Sequence, residues 1–312
     1  MGRPFTQTPN SIYEKSETSI VHNYTRDVLM LPNPALILVA WCPTVWTTCL
    51  ACHASGKAIQ AADLFALLLK NLLVLALIYS FFCTLNTLCE NSLDDDRTRA
   101  RSQKVFFLLA CLSRVLGTVV AIRYLLGQDL LPFWLPCGMA SSLYPLVKRF
   151  VVLGQFVLAC LVTAVILPSW ISSGEKAEWS EGLFCVLTFT FLWIIYISIL
   201  HSIVDTTDAL LASTHGHSYI PDNVLTVTLL SLLQIIVLST YSYQSAKSPH
   251  FWILGVGIWA VNNAWHISDL RVPDWSWNES SGRAAVQRNI CLGLWMCAAE
   301  ICELWVGGGL VF

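Results

Sequence analysis

Nine apolar stretches, each about as long as a helix needs to be to cross a bilayer, take up most of this chain. They run at 34–53, 63–89, 105–126, 129–146, 149–169, 182–204, 222–244, 250–268 and 287–310. Hydrocarbon offers no partner for a bare N–H or C=O, so each stretch must satisfy its own backbone. The expected fold class is therefore all-α, a polytopic membrane bundle of nine transmembrane helices. The fourth stretch holds the most helix breakers, Pro132, Pro136 and Gly138. Composition agrees: 55% of the 312 residues are hydrophobic and 12% are charged, where a soluble domain carries about 25% charge. The lipid bilayer is the expected surrounding, and nucleic acid is not an expected partner.

Residues 1–33 are polar, rich in Ser and Thr, and lack the basic and apolar regions of a signal peptide, so they read as a cytosolic tail. Residues 34–312 read as a single nine-helix transmembrane domain. With nine crossings, the tail and the connections after spans two, four, six and eight share one side. That side collects the bases: Arg97, Arg99, Arg101, Lys104, Lys148, Arg149, Arg271, Arg283 and Arg288 among them. The positive-inside bias makes it the cytosolic face, with the endoplasmic reticulum or another endomembrane as the expected location. Asn23-Tyr-Thr25 and Asn278-Glu-Ser280 spell glycosylation acceptors that stay unmodified in this topology. The cysteines lie scattered in apolar segments and imply no disulfide framework. Cys49-Leu-Ala-Cys52-His53 matches the spelling of c-type haem attachment, but it sits at the end of a span with no evident axial partner, so no haem is expected.

Charge within and at the ends of the spans is where chemistry is expected. Span two ends in Asn86, Glu90 and Asp94, spaced i, i+4 and so on one helical face, with Asp95 and Asp96 crowding the mouth. Span six ends in Asp205 and Asp208, i and i+3, on the same side by parity of crossings. Two acidic helix ends facing one side can hold cations, and a set of oxygen ligands alone favours Mg²⁺, which usually completes its shell with substrate phosphates. A diphosphate would then also meet Arg97, Arg101, Lys148 and Arg149. Taken singly, each acidic end also reads as a solvated helix terminus, and each base as a membrane anchor. Arg114 and Lys70 lie inside spans; Arg114 is a candidate for meeting an anion in the interior, while Lys70 also reads as a snorkelling side chain.

These residues resemble the UbiA superfamily of intramembrane prenyltransferases and cyclases along nearly the whole chain. The family pattern of Asn, Asp and Asp at four-residue steps, then Arg, is matched by Asn86, Glu90, Asp94 and Arg101, with Glu90 replacing an Asp. The usual Lys-Pro-x-Arg-Pro that follows is here Thr98-Arg99-Ala100-Arg101-Ser102. Tyr144-Pro145-Leu146-Val147-Lys148-Arg149 resembles the family's Tyr-Pro-x-x-Lys-Arg segment, and Asp205-x-x-Asp208 is a degenerate second acidic motif. Gly216-His217-Ser218-Tyr219-Ile220-Pro221 stands where fungal-type relatives often read Gly-Arg-x-Thr-Leu-Pro. The resemblance implies nine helices around a central cavity, Mg²⁺ as cofactor and an isoprenyl diphosphate as substrate.

Within that superfamily the run Asp94-Asp95-Asp96-Arg97, Glu90 and the lost Lys-Pro-x-Arg-Pro are most like the fungal sesquiterpene cyclase branch, similar to bergamotene synthase. The resemblance therefore implies a terpene cyclase, a lyase of secondary metabolism that ionises farnesyl diphosphate. The alternative is a prenyltransferase with an aromatic or other acceptor, and a non-enzymatic membrane protein stands behind both. On this reading Glu90, Asp94 and Asp95 hold one metal site and Asp205 and Asp208 the other. Asn86 orients the first site, and Arg97, Arg101, Arg114, Tyr144, Lys148 and Arg149 bind diphosphate. Trp41, Trp46, Phe81, Trp193 and Tyr196 are cavity candidates by position.

Overall fold

The structure, a computed structural model, describes residues 34–56, 58–93, 101–147, 151–174, 180–212, 220–271 and 279–311; at several helix ends only the backbone is described. All nine apolar stretches are helical over most of their described residues. In chain order they form α1 (Pro34–Ser55), α2 (Ala61–Leu93), α3 (Arg101–Ala121), α4 (Leu131–Val147), α5 (Val151–Thr163), α6 (Ile166–Ser172), α7 (Glu181–Ala212), α8 (Ile220–Gln244), α9 (Ile258–Arg271) and α10 (Glu279–Val306). A π-helical stretch, Ile122–Leu126, continues α3, and α5 with α6 makes one crossing bent at 164–165.

One expectation about the helices is met against its helix breakers, and one changes in the structure. The fourth stretch is a continuous helix despite Pro136 and Pro145 inside it, which membrane helices tolerate because neighbours re-satisfy the freed carbonyls. Among the described residues, eight segments are long and apolar enough to cross a bilayer, and the eighth stretch is not one of them. It is helical from 249 to 271, through a turn at Pro249–Phe251, a π-helical stretch at Trp252–Gly257 and then α9. Asn262, Asn263, His266 and Asp269 lower its apolarity, and their surroundings explain why they are tolerated (below).

Burial shows which helices are central. Of the spanning window in α1, 72% is buried, against 11% for the window running from α3 into its π-helical end. In α3 the side chains of Leu108, Leu112 and Leu116 point outward, as expected of a lipid-facing helix. At the centre, Trp46 of α1, Phe189 and Trp193 of α7 and Trp259 of α9 form an aromatic box with centroid separations of 4.8 to 6.4 Å. The box closes tightly at Gly293 of α10, where a Cβ would lie 2.6 Å from Trp193 Cη2, so only glycine allows that approach.

Contacts at one end of the bundle fix the direction of the helices. The segment before α2 pairs with the segment after α10 as two short parallel strands, β1 (Ile59–Gln60) and β2 (Leu310–Val311). His53 Nε2, at the end of α1, lies 3.2 Å from Ser245 O, just past the end of α8. At the start of α7, a Cβ on Gly182 would lie 3.2 Å from Ser245 Oγ and 3.4 Å from Leu50 Cδ1. Thus α2 and α7 both begin at this end. They run for 33 and 32 residues, about a dozen more than a bilayer needs, so their last turns both lie at the opposite end.

Candidate active site

The last turns of α2 carry Asn86 and Glu90, and those of α7 carry Asp205 and Asp208, at the same end of the bundle. The backbone of Glu90, Asp205, Asp208 and Arg101 is helical, and their side chains are outside the described part of the structure. Asp94, Asp95, Asp96, Arg97, Lys148 and Arg149, expected at this site, lie outside the described residues. Among the described residues no group of three or more His, Cys, Asp or Glu could hold a metal ion. His53, of the haem-like spelling, has its Nε2 against the Ser245 carbonyl as noted above.

The described part of the site lies below Glu90. Tyr79, Phe82, Asn86 and Glu90 follow one another at three- and four-residue steps and so form a single stripe on α2. Tyr144 of α4 packs on that stripe, its ring centroid 5.0 Å from that of Phe82, which is in turn 6.1 Å from Tyr79. The structure thus brings Tyr144 against the face that bears Asn86 and Glu90. Arg114 of α3 reaches α2 as well: its Nη1 donates to Thr84 Oγ1, while the Thr84 hydroxyl donates to Ser80 O at 2.9 Å. Thr84 is six residues before Glu90, so this guanidinium contact lies about 9 Å below the acidic tip along the helix axis. A cation in hydrocarbon is costly unless it has polar partners, and the Thr84 hydroxyl supplies one.

The remaining intramembrane candidates fall elsewhere. Lys70 is exposed on α2, in the half of the helix away from Glu90. Phe81 lines an apolar groove of about 240 Å³ with Ile78, Val115, Ile122, Trp134 and Leu135, between α2, α3 and α4. Trp41 Nε1 donates to Leu68 O at 3.4 Å, Trp46 and Trp193 belong to the aromatic box, and Tyr196 Oη lies 3.2 Å from His266 Nδ1.

Sequence reasoning missed two buried polar groups. One joins α8, α10 and the turn after α8: Lys247 Nζ donates to Glu300 Oε2 at 2.8 Å, and Tyr241 Oη donates to Glu300 Oε1 at 2.7 Å. Glu303 accepts from the backbone N–H of Ser248 at 2.6 Å and from its hydroxyl at 2.5 Å. The other lies along α9 in two parts: Tyr196 Oη and Asn289 Nδ2 meet His266 Nδ1, and Trp259 and Asn263 donate to Gln234 Oε1. Glu300 and Glu303 within the last apolar stretch, and two asparagines and a histidine within the eighth, were the signals available.

Comparison of the fold decides what the bundle is. A structure of digeranylgeranylglyceryl phosphate synthase superposes with a TM-score of 0.57 at 14% identity, over 90% of this chain and 98% of that one. A UbiA homolog from Archaeoglobus fulgidus bound to Cd²⁺ superposes with a TM-score of 0.50, also at 14% identity, over 84% and 97%. The chain has the UbiA fold. Sequence relatives span it at comparable length: a polyprenyl transferase of Arthrobotrys oligospora is 26% identical over 280 residues, covering 84% of this chain and 74% of the relative. The polyprenyl transferase macG of Penicillium terrestre is 24% identical over 279 residues, 86% of each. No family model matches the chain. The resemblance read from Asn86, Glu90, Asp94, Tyr144 and Asp205 thus leads to UbiA proteins, and the acidic ends of α2 and α7 fall at one end of a UbiA bundle.

Proposed function

We propose that the chain is a membrane prenyltransferase that binds an isoprenyl diphosphate at the acid-tipped end of the bundle and transfers the isoprenyl group to an aromatic or other acceptor. The observation that carries this reading is the placement of the last turns of α2 and α7, with Glu90, Asp205 and Asp208, at the same end of a UbiA fold. The transferase is preferred to the cyclase expected from Asp94-Asp95-Asp96-Arg97, because the relatives in sequence are named polyprenyl transferases.

The donor set is carboxylate throughout, which fits Mg²⁺: Glu90, Asp94 and Asp95 would hold it from α2, and Asp205 and Asp208 from α7. A bound divalent cation supplies charge neutralisation for the diphosphate leaving group. Asn86 orients the α2 carboxylates from one turn below. Arg97, Arg101, Lys148 and Arg149 take the diphosphate oxygens as charge-assisted donors, Tyr144 adds a hydroxyl donor, and Arg114 holds negative charge from beneath. Apolar walls keep water from the allylic carbon before the acceptor reaches it. The mouth faces the cytosol of an endomembrane, as the distribution of bases requires.

The test is to incubate membranes containing the protein with farnesyl diphosphate and Mg²⁺, with and without a phenolic acceptor. Prenylated acceptor, with diphosphate release that depends on the acceptor, is the expected result. Cyclic hydrocarbon formed without acceptor would replace the transferase with the cyclase, and no release from any isoprenyl donor would remove enzymatic function altogether.

A further inference from the structure

The groove between α2, α3 and α4 lies on the side of α2 turned away from the acidic stripe, since Phe81, on its wall, stands nine residues before Glu90 and so half a turn around the helix axis from it. Of the residues that line it only Thr118 is polar, and that hydroxyl is already donated to Arg114 O at 2.8 Å. No side chain of the bundle reaches into the groove at Gly138, where a Cβ would meet no heavy atom within 4 Å. A cleft of about 240 Å³ left empty beside hydrocarbon forfeits contacts for every atom that lines it, so a chain from the bilayer is the natural filler.

One end of the groove has a polar mouth. Val115, Val119 and Arg123 follow at four-residue steps along α3 and its π-helical continuation, so Arg123 extends the stripe whose two valines line the groove. Arg114 meets Thr84, while Ile122, further along the same helix, shares the groove with Ile78; α3 therefore runs back along α2, and Arg123 lies at the end opposite the acidic tips. It stands three residues before the end of the spanning window Leu108–Leu126, and its neighbour Tyr124 is 79% exposed, as suits a ring at headgroup level. The excess of bases that anchors the other end does not account for a guanidinium here. Arg123 is exposed and makes no hydrogen bond or ion pair among the described residues, although Asp129 follows in the turn Gln128–Leu130. A free cation at headgroup level, continuing an apolar groove, complements an anion that carries an apolar chain.

We propose that the groove binds a membrane phospholipid: one acyl chain lies along Val119, Phe81 and Leu135, and the phosphodiester takes charge-assisted hydrogen bonds from Arg123. The lipid belongs to the leaflet opposite the acidic tips, so the site is separate from the diphosphate end. A neutral lipid with the same chains fills the groove but leaves the guanidinium unmet. The site is the same whether the protein is a transferase or a cyclase.

Photolabelling of the full chain in phosphatidylcholine vesicles tests it, with traces of phosphatidylcholine or of diacylglycerol that carry the same diazirine-bearing acyl chain. Label on the groove-lining segments of α2, α3 and α4 is divided by label around Leu225, Leu229 and Leu232, exposed on α8 and a reference for bulk lipid contact. This ratio should be about tenfold higher for the phospholipid than for the diacylglycerol. Arg123→Gln should make the two probes alike, and Arg123→Lys should keep most of the difference. Gly138→Leu adds atoms only to open space and should lower groove labelling by both probes. Excess unlabelled farnesyl diphosphate should leave the ratios unchanged. Equal ratios in the parent chain, or a phospholipid preference that survives Arg123→Gln, reduces the groove to ordinary bilayer contact and overturns the proposal, and displacement by farnesyl diphosphate overturns it in favour of an isoprenyl site.

Discussion

Lys247 and Glu300 form an ion pair at 2.8 Å with both side chains 1% exposed, at the end of the bundle opposite the acidic tips. Tyr241 donates to the other carboxylate oxygen, and the Lys247 ammonium lies 5.2 Å from the ring centroids of both Tyr241 and Phe251. The group ties the turn after α8 to α10, far from the proposed chemistry. Removing one partner leaves an uncompensated buried charge. Lys247→Met should therefore destabilise the protein by about 3–5 kcal/mol, and Lys247→Met with Glu300→Gln should cost clearly less than Lys247→Met alone. Thermal unfolding in detergent measures both, and diphosphate release per folded molecule should stay unchanged.

Gly293 makes the aromatic box possible, and its replacement has a directional consequence. Gly293→Ala places a Cβ against Trp193 and should destabilise by about 1–3 kcal/mol through overpacking. Trp193→Phe removes the atoms that clash, so the double variant should recover part of the loss. The same unfolding measurement reads the recovery, and simple additivity would contradict the contact.

Arg114 is held by Thr84 beneath the acidic tip of α2. A hydrogen bond to a charged group is worth about 1.5–3 kcal/mol, so Thr84→Val should lower diphosphate release roughly tenfold or more. Thr84→Ser keeps the hydroxyl and should stay near the parent rate. Equal activity of the valine and serine variants would detach Arg114 from the reaction.

The proposed topology can be checked by glycosylation. Asn23 and Asn278 should remain unmodified in endomembranes, read as no mobility change on glycosidase treatment, because both face the cytosol in the proposed arrangement. Modification of either acceptor places its segment in the lumen.

The sequence made the bundle legible because hydrocarbon enforces a helix on any long apolar stretch. It made the stripe Asn86–Glu90 legible because four-residue spacing fixes a face. It did not show Tyr144 packed against Phe82, which depends on how α4 crosses α2. The burial of Lys247 was not legible, because nothing local indicates that Glu300, 53 residues further on, lies against it. His266, with Asn262 and Asn263, marked the eighth stretch as unusually polar, but nothing local showed that its partners come from α7 and α10. Gly293 carried no signal either, since its need for a missing Cβ arises from Trp193 on another helix.

The central claim is that the carboxylates of α2 and α7 act on one ligand. Its most direct test is the affinity of farnesyl thiolodiphosphate, a slowly ionising analogue, in the presence of Mg²⁺ for the parent chain, Glu90→Gln, Asp205→Asn and the double variant. Residues that share a ligand couple, so each single change should weaken binding at least about tenfold and the double change by clearly less than the product of the two. Fully multiplicative losses, or a single variant that binds like the parent, would contradict it.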